Sequence, residues 1–401
     1  MTPDPTAIRA SLLHSRAIRR VVVKLGSFTL ADVEAGLRLS TIRAIASQVT
    51  DAWSRNGIRF VVVTSGAIAA GRKKLGMREK PRTVALKQAA AAVGQTTLMQ
   101  AYERAFERRG RQVGQLLLTH EDFESRERYV NARNTIETLL ARGIVPIINE
   151  NDTVATEEIR LGDNDHLAAL VTQMVGADLL VLLTDRKGVY DRDPLRHRDA
   201  RLLPLLEQIT EERIRTASGR GGRGGMGTGG MGSKLLSARV VSDSGIPVVI
   251  ASGLSRSSLS DILAGKEVGT LVLPGGPGKA NRRKMWIAYA RHPHGSISVD
   301  EGAITFLREK GKSLLPAGVV EVRGVFRQGD VVSILDPAGR EIARGISAWS
   351  SEQIHAGKGM KSVDLRKILG DGIPAEVVHR DNLTILPLHE AAGGGKGATD
   401  R

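Results

Sequence analysis

The chain has 401 residues, 41% apolar and only 3% aromatic, enough for two or three domains whose cores must be packed from Val, Ile, Leu and Ala. It contains no cysteine, which excludes disulfides, a thiol nucleophile and Cys-ligated metal centres, and no apolar run of about 18 residues, so no transmembrane helix is predicted. The formal charge of +15 is unevenly spread: residues 295–388 hold twelve basic and twelve acidic side chains and residues 389–401 two of each, so the whole excess lies in residues 1–294. A basic field there suits nucleic acid or a small polyanionic substrate.

Residues 1–17 carry Arg9 and Arg16, run on into Arg19 and Arg20, and have Asp4 as their one acid. They lack an apolar h-region, which argues against a secretory signal, and read as a floppy N-terminal extension; a transit peptide would have a similar composition. Five short β-branched runs follow: IRRVVVKLGS (Ile18–Ser27), IRFVVVTSGA (Ile58–Ala67), IVPIINEND (Ile144–Asp152), DLLVLLTD (Asp178–Asp185) and IPVVIASG (Ile246–Gly253). Runs apolar on both faces predict buried parallel strands. Ser40–Arg55, Val84–Arg109 and His166–Val175 lie between them and predict helices, so residues 18–274 read as an α/β domain with a parallel sheet. The polar clusters Lys24–Ser27, Thr64–Gly66, Asn149–Asp152 and Thr184-Asp185 all fall at strand C-termini, the edge where such sheets bind ligands. Residues 275–294 include PGGPGKANRRK and read as a linker. Residues 295–388, with short alternating segments and turns at Gly324, Gly329, Asp336-Pro337 and Gly339, predict a small β-rich module, and residues 389–401 a disordered tail.

The stretch SGRGGRGGMGTGGMGSK (Ser218–Lys234) is nine-seventeenths glycine. It has no Walker A match, and its one GxGxxG does not follow a clear strand, so a dinucleotide fingerprint fails on context. What remains is a run of flexible backbone N–H groups leading into a helix that starts near Lys234, a form that favours anions and is also compatible with a surface loop. Lys24 is either a strand-end lysine or a fixed cation facing a phosphate. Ser65 either caps a helix or offers donors to a carboxylate. Asp163, Asn164 and Asp165 include a cap for the helix at His166, but one cap does not account for the group. No histidine shows metal-ligand spacing or an obvious triad. Two lysines, a glycine loop, a strand-end serine and acidic clusters suit phosphoryl transfer, which needs charge neutralisation and alignment more than a reactive side chain.

In this order, VVVKLGS, VVVTSGAIAAG, INENDTVATEEIRLGDND, LLTDRKGVY and GTGGMGSK resemble the glutamate 5-kinases of the amino acid kinase superfamily, and ISVDEGA…GKSLLPAGVVEVRGVFRQGDVVSI resembles a PUA domain. The likeness runs from about Ile18 to Leu388. It implies an α/β three-layer sandwich with a mostly parallel central sheet, plus a small C-terminal PUA-like domain. It also implies ATP-dependent phosphorylation of the side-chain carboxylate of L-glutamate to γ-glutamyl phosphate, the first step of proline biosynthesis. By position, Lys24 and Lys234 would be catalytic and Asp165 would orient them. Ser65, Asp152 and Asn164 would bind glutamate, with Asp163 nearby. Thr184, Asp185, Thr228, Gly229, Gly230, Met231, Gly232 and Ser233 would hold the nucleotide together with Lys24 and Lys234. Mg²⁺ would be bound through ATP phosphates, with no protein metal site. The resemblance further implies a cytoplasmic homo-oligomer, dimer or tetramer, inhibited by proline, with a glutamyl phosphate reductase as transient partner.

Two alternatives are an aspartokinase-like specificity and a PUA-containing RNA-binding protein; the neutral charge of residues 295–388 argues against RNA. The chain departs from the family pattern at Phe28, where a small residue is usual, and in the segment before GTGGM that carries Arg220 and Arg223. Ser218–Gly227 is expected to be a mobile flap that orders over ATP.

Overall fold

The computed structural model describes residues 5–13, 18–32, 36–77, 79, 81–154, 164–218, 230–275, 293–360 and 374–385. The chain divides into two compact units, Met1–Ala280 and Asn281–Arg401.

Among the described residues, the large sheet of the first unit has eight strands: β1 (Arg20–Leu25), β4 (Arg59–Val63), β5 (Val113–Leu118), β6 (Val145–Glu150), β7 (Leu179–Thr184), β8 (Leu205–Leu206), β9 (Val248–Ser252) and β10 (Thr270–Val272). A separate small hairpin pairs β2 (Ala31–Asp32) with β3 (Gly36–Leu37). The large sheet has the order β5-β6-β4-β1-β7-β9-β10-β8. All its pairings are parallel except β9 with β10. The five strands expected from the sequence all lie in it. β5 escaped notice because VGQLLL has a glycine and a glutamine in its first half and no β-branched run, and β8 and β10 because they are very short.

Strand alternation divides the core. Val21, Val23, Leu25, Phe60, Val62, Leu179, Val181 and Leu183 join one apolar cluster with α3 (Leu39–Asn56) and α5 (Val84–Glu107). α3 supplies Ile42, Ile45, Ala46 and Val49, a one-face helical spacing. The alternate residues of β1, Val22 and Lys24, therefore point to the other face, where α8 (Asn164–Met174) and α10 (Met231–Asp243) pack together. The sheet is thus the middle of three layers.

α4 (Ala67–Lys74) meets α5 backbone to backbone. A Cβ on Gly71 would lie 1.7 Å from the Ala90 carbonyl oxygen, and one on Gly94 1.8 Å from that of Ala67. Only glycine permits this approach, which brings the end of β4 close to the middle of α5.

The N-terminal segment corrects the expectation of a floppy extension. Pro5–Leu13 forms a helix, α1. Leu13 is fully buried in the main apolar cluster, with Ile8 and Leu12 packed against it. Three apolar residues at helical spacing were present in AIRASLL, but the arginines around them masked the signal.

The second unit has a five-stranded sheet, β12-β11-β13-β14-β15, formed by β11 (Gly295–Val299), β12 (Val319–Gly324), β13 (Val331–Leu335), β14 (Glu341–Ile346) and β15 (Leu383–Ile385). Its own core contains Ile297, Val322, Ile334 and Trp349. Helix Glu301–Arg308 is capped by Asp300, whose carboxylate accepts from the Ala303 N–H at 2.7 Å, and helix Ser351–Gly357 by a Ser350/Gln353 capping box. Most of the expected linker and the whole expected tail lie outside the described residues. No helix among the described residues is long and apolar enough to cross a membrane.

Candidate active site

The parallel strands bring the polar clusters to one edge of the large sheet. There the β1 backbone turns at Gly26, whose N–H donates to Leu183 O of β7 (3.2 Å), while the Thr64 N–H at the end of β4 donates to Ile148 O of β6 (2.8 Å). These cross-strand bonds continue the sheet past its last paired residues and fix the loops relative to one another.

Charge meets at the centre of this edge. Lys24 projects from β1 toward α8 and α10. Its ammonium lies 2.5 Å from Asp165 Oδ1, and the Lys234 ammonium lies 3.0 Å from Asp165 Oδ2. Asp165 is fully buried, and the two lysine side chains are 2% and 6% exposed. Asp165 stands in the first turn of α8 and Lys234 in the first turn of α10, so both helices direct their positive ends here. One carboxylate accordingly holds two ammonium groups side by side.

On the β4–β6 side lies a cluster of uncharged polar groups. The Asn164 amide donates to Thr64 O (2.8 Å), Ser65 Oγ (2.9 Å) and Asn149 Oδ1 (3.0 Å). Asn149 in turn donates to Gln95 Oε1 of α5 at 2.9 Å. Thr64 Oγ1 bonds the Tyr102 hydroxyl at 2.8 Å. Burial pushes the Tyr102 phenol well above its ordinary value, so it stays protonated and neutral. Asn164 Oδ1 and Gln95 Nε2 are buried yet find no hydrogen-bond partner among the described residues. Such a pair, one acceptor and one donor, is costly unless a ligand completes it. Asp152 lies half-buried in the turn after β6.

On the β7 side opens a cavity of about 860 Å³, lined by Thr184, Asp185, Gly188, Tyr190, Gly230, Met231 and Lys234 among others. The Thr184 hydroxyl donates to Asp185 Oδ1 at 2.9 Å. Gly230 caps α10, and its carbonyl accepts from Ser233 Oγ at 2.9 Å. Phe28, 65% exposed, lines the same cavity, so the bulky residue at the first motif is housed in open space rather than forced into the core. Among the described residues no group of three or more His, Asp or Glu side chains is arranged to hold a metal ion.

The structure therefore unites Lys24, Asp165 and Lys234, joins Ser65 to Asn164, and puts Thr184, Asp185, Gly230, Met231 and Lys234 on one cavity. Gly232 is buried inside α10. Asp163, Thr228, Gly229, Arg220 and Arg223, with the flap expected over Ser218–Gly227, lie outside or almost wholly outside the described residues. Sequence reasoning missed Gln95 and Tyr102 as site neighbours. Both lie on α5, seven residues apart and so on one helix face, and that spacing was the available signal.

Residues 19–252 match the model of the amino acid kinase family, and residues 295–369 that of the PUA domain. The chain belongs to the amino acid kinase family. Within it, the chain stands with the glutamate 5-kinases: that of Geobacter sulfurreducens is 48% identical over 372 residues, covering 92% of this chain and 98% of that protein. The Moorella thermoacetica glutamate 5-kinase is 48% identical over 371 residues, covering 92% and 96%. Among solved structures, the isopentenyl phosphate kinase of T. acidophilum aligns over 63% of this chain and 99% of its own at 16% identity, with a TM-score of 0.42.

Proposed function

We propose that the chain transfers the γ-phosphoryl group of ATP to the side-chain carboxylate of L-glutamate, giving γ-glutamyl phosphate and ADP, the entry to proline synthesis. The observation that carries this reading is the Lys24–Asp165–Lys234 group, which stands between a cluster of neutral polar groups and a cavity of nucleotide size. In-line transfer needs the acceptor oxygen and the leaving β–γ bridging oxygen on opposite sides of the γ-phosphorus, with fixed positive charge beside the transferring group, and the paired lysines support that reading.

In the reaction a glutamate carboxylate oxygen forms a bond to the γ-phosphorus, the bond from phosphorus to the β–γ bridging oxygen breaks, and that electron pair leaves with ADP. The carboxylate is already ionised at neutral pH, so no general base is required. Lys24 and Lys234 neutralise charge on the transferring group, and Asp165 holds both ammonium groups in place before substrate arrives. Ser65, Asn164 and Asp152 hold glutamate, and Asp163, outside the described residues, is assigned to the same substrate by its place in the GDND motif. The unpartnered Asn164 oxygen supports a donor such as the substrate's α-ammonium at this place. Thr184, Asp185 and the segment from Thr228 to Lys234 hold the nucleotide. Mg²⁺ enters with ATP, bound through its phosphates, as this ion prefers when few carboxylates are offered.

The proposal extends to a cytoplasmic homo-oligomer, to feedback inhibition by proline at or near the glutamate site, and to handover of the labile acyl phosphate to a reductase.

A substrate panel of glutamate, aspartate, N-acetylglutamate and UMP, scored by ADP release with hydroxylamine trapping the acyl phosphate, tests the reading. Turnover with glutamate and formation of glutamyl hydroxamate are expected. Preference for aspartate would overturn it in favour of an aspartokinase-like specificity.

A further inference from the structure

The one side chain in α1 that enters the protein as a charge is Arg9, and it is fully buried. Its guanidinium donates to four backbone carbonyls: from Nη2 to Pro204 O (2.6 Å) and Gly269 O (2.8 Å), and from Nη1 to Val268 O (3.0 Å) and Lys266 O (3.5 Å). These carbonyls belong to two segments far apart in sequence, the residue before β8 and the turn that enters β10. A planar fork with several donors suits such bridging, and a single ammonium suits it less well.

What the fork holds is connected to the cavity. Gly269 leads directly into Thr270, which is fully buried. Thr270 Oγ1 accepts from the Val189 N–H at 2.8 Å and donates to Leu203 O at 2.6 Å. The Leu203 N–H returns a bond to Val189 O at 2.8 Å. Gly188 sits so close that a Cβ there would lie 2.7 Å from Thr270 Oγ1 and 3.0 Å from Thr270 N. Gly188, Val189 and Tyr190 line the cavity. Gly269 itself is wedged against β9, since a Cβ on it would meet Ile250 O at 2.3 Å. The path from Arg9 to the cavity wall therefore consists of backbone held by buried and partly buried hydrogen bonds, two of them through the Thr270 hydroxyl, with no slack at either glycine.

We propose that Arg9 is a positioning residue for the nucleotide: the N-terminal helix clamps the turn into β10 and thereby sets the cavity wall formed by residues 188–190. The inference rests on the reading of that cavity as the ATP site. The glutamate-side cluster of Ser65, Asn149 and Asn164 lies on other strands and takes no support from Arg9.

Steady-state kinetics of the full chain read the split between the two substrates. Arg9→Ala is expected to raise the KM for ATP about tenfold and to leave the KM for glutamate within about twofold, with Arg9→Lys in between. An Arg9→Ala enzyme that keeps the wild-type KM for ATP, or in which the KM for glutamate rises equally, overturns the proposal. Should Arg9→Ala not fold, amide hydrogen exchange on Arg9→Lys decides: faster exchange at Val189 and Leu203 with β4 unchanged is expected, and wild-type protection at both amides overturns it. If the wild-type chain turns over no ATP with glutamate, the functional reading fails on its own. The exchange measurement, joined to titration with a non-hydrolysable ATP analogue, still reads the clamp.

Discussion

In the first unit the salt bridges of Lys24 and Lys234 to Asp165 are at most 6% exposed, whereas in the second unit the Arg323–Glu321 pair is 70% and 46% exposed. The contrast separates two uses of charge. A surface pair is screened by water and contributes little. Its effect on Glu321 is to hold the carboxyl below its usual range, chiefly through the hydrogen bond from Arg323. A buried triad must offset a large desolvation cost, and apolar residues of similar size would often serve folding equally well. Charge kept in such a place points to chemistry. By that measure the proposed catalytic centre lies in the first unit.

Removing a buried cation should break this contrast most sharply. Lys24→Ala and Lys234→Ala are each expected to lower glutamate-dependent ATP turnover by about a thousandfold or more, measured as ADP release, since each deletes a preorganised charge. Wild-type rates in folded variants would sink the catalytic assignment. Next in size, Asp165→Asn leaves two buried ammonium groups without their counter-charge. Its unfolding free energy in urea should drop by about 3 kcal/mol; an unchanged midpoint and slope would mean that solvent or an unrecognised acid compensates. On the neutral side of the site the effect should be smaller and selective. Asn164→Ala is expected to raise the KM for glutamate about tenfold and to leave that for ATP within about twofold, the loss of one substrate contact; equal rises would place Asn164 in the shared scaffold. Least of all, Glu321→Gln should leave both the melting temperature and turnover unchanged within error, as expected for an exposed pair. A clear loss there would show that the second unit does more with charge than its exposure indicates.

Much of the first unit was legible in the order of residues. Short β-branched runs apolar on both faces, alternating with helical segments, predict buried parallel strands, so the ligand edge and the polar clusters upon it followed; the antiparallel β10 did not. Lys24 and Lys234 were legible through their placement, one ending a strand and the other opening a helix behind glycines. Gln95 was not, because its role depends on α4 and α5 touching at Gly71 and Gly94, a contact between chain segments more than twenty residues apart. Nor was α1, whose three apolar residues were outweighed by the surrounding arginines.

The sequence by itself determined the alternation of strand and helix, the clustering of polar residues at strand ends, and the neutrality of residues 295–388, because each is a local or additive property of the residues. The tertiary structure alone decided that Asp165 holds both lysines at once, that Asn164 bridges β4 and β6, and that Arg9 turns inward to hold Pro204 and Gly269. Each of those depends on how distant segments cross, and a buried polar group chooses its partner only after packing has removed the water it would otherwise bind.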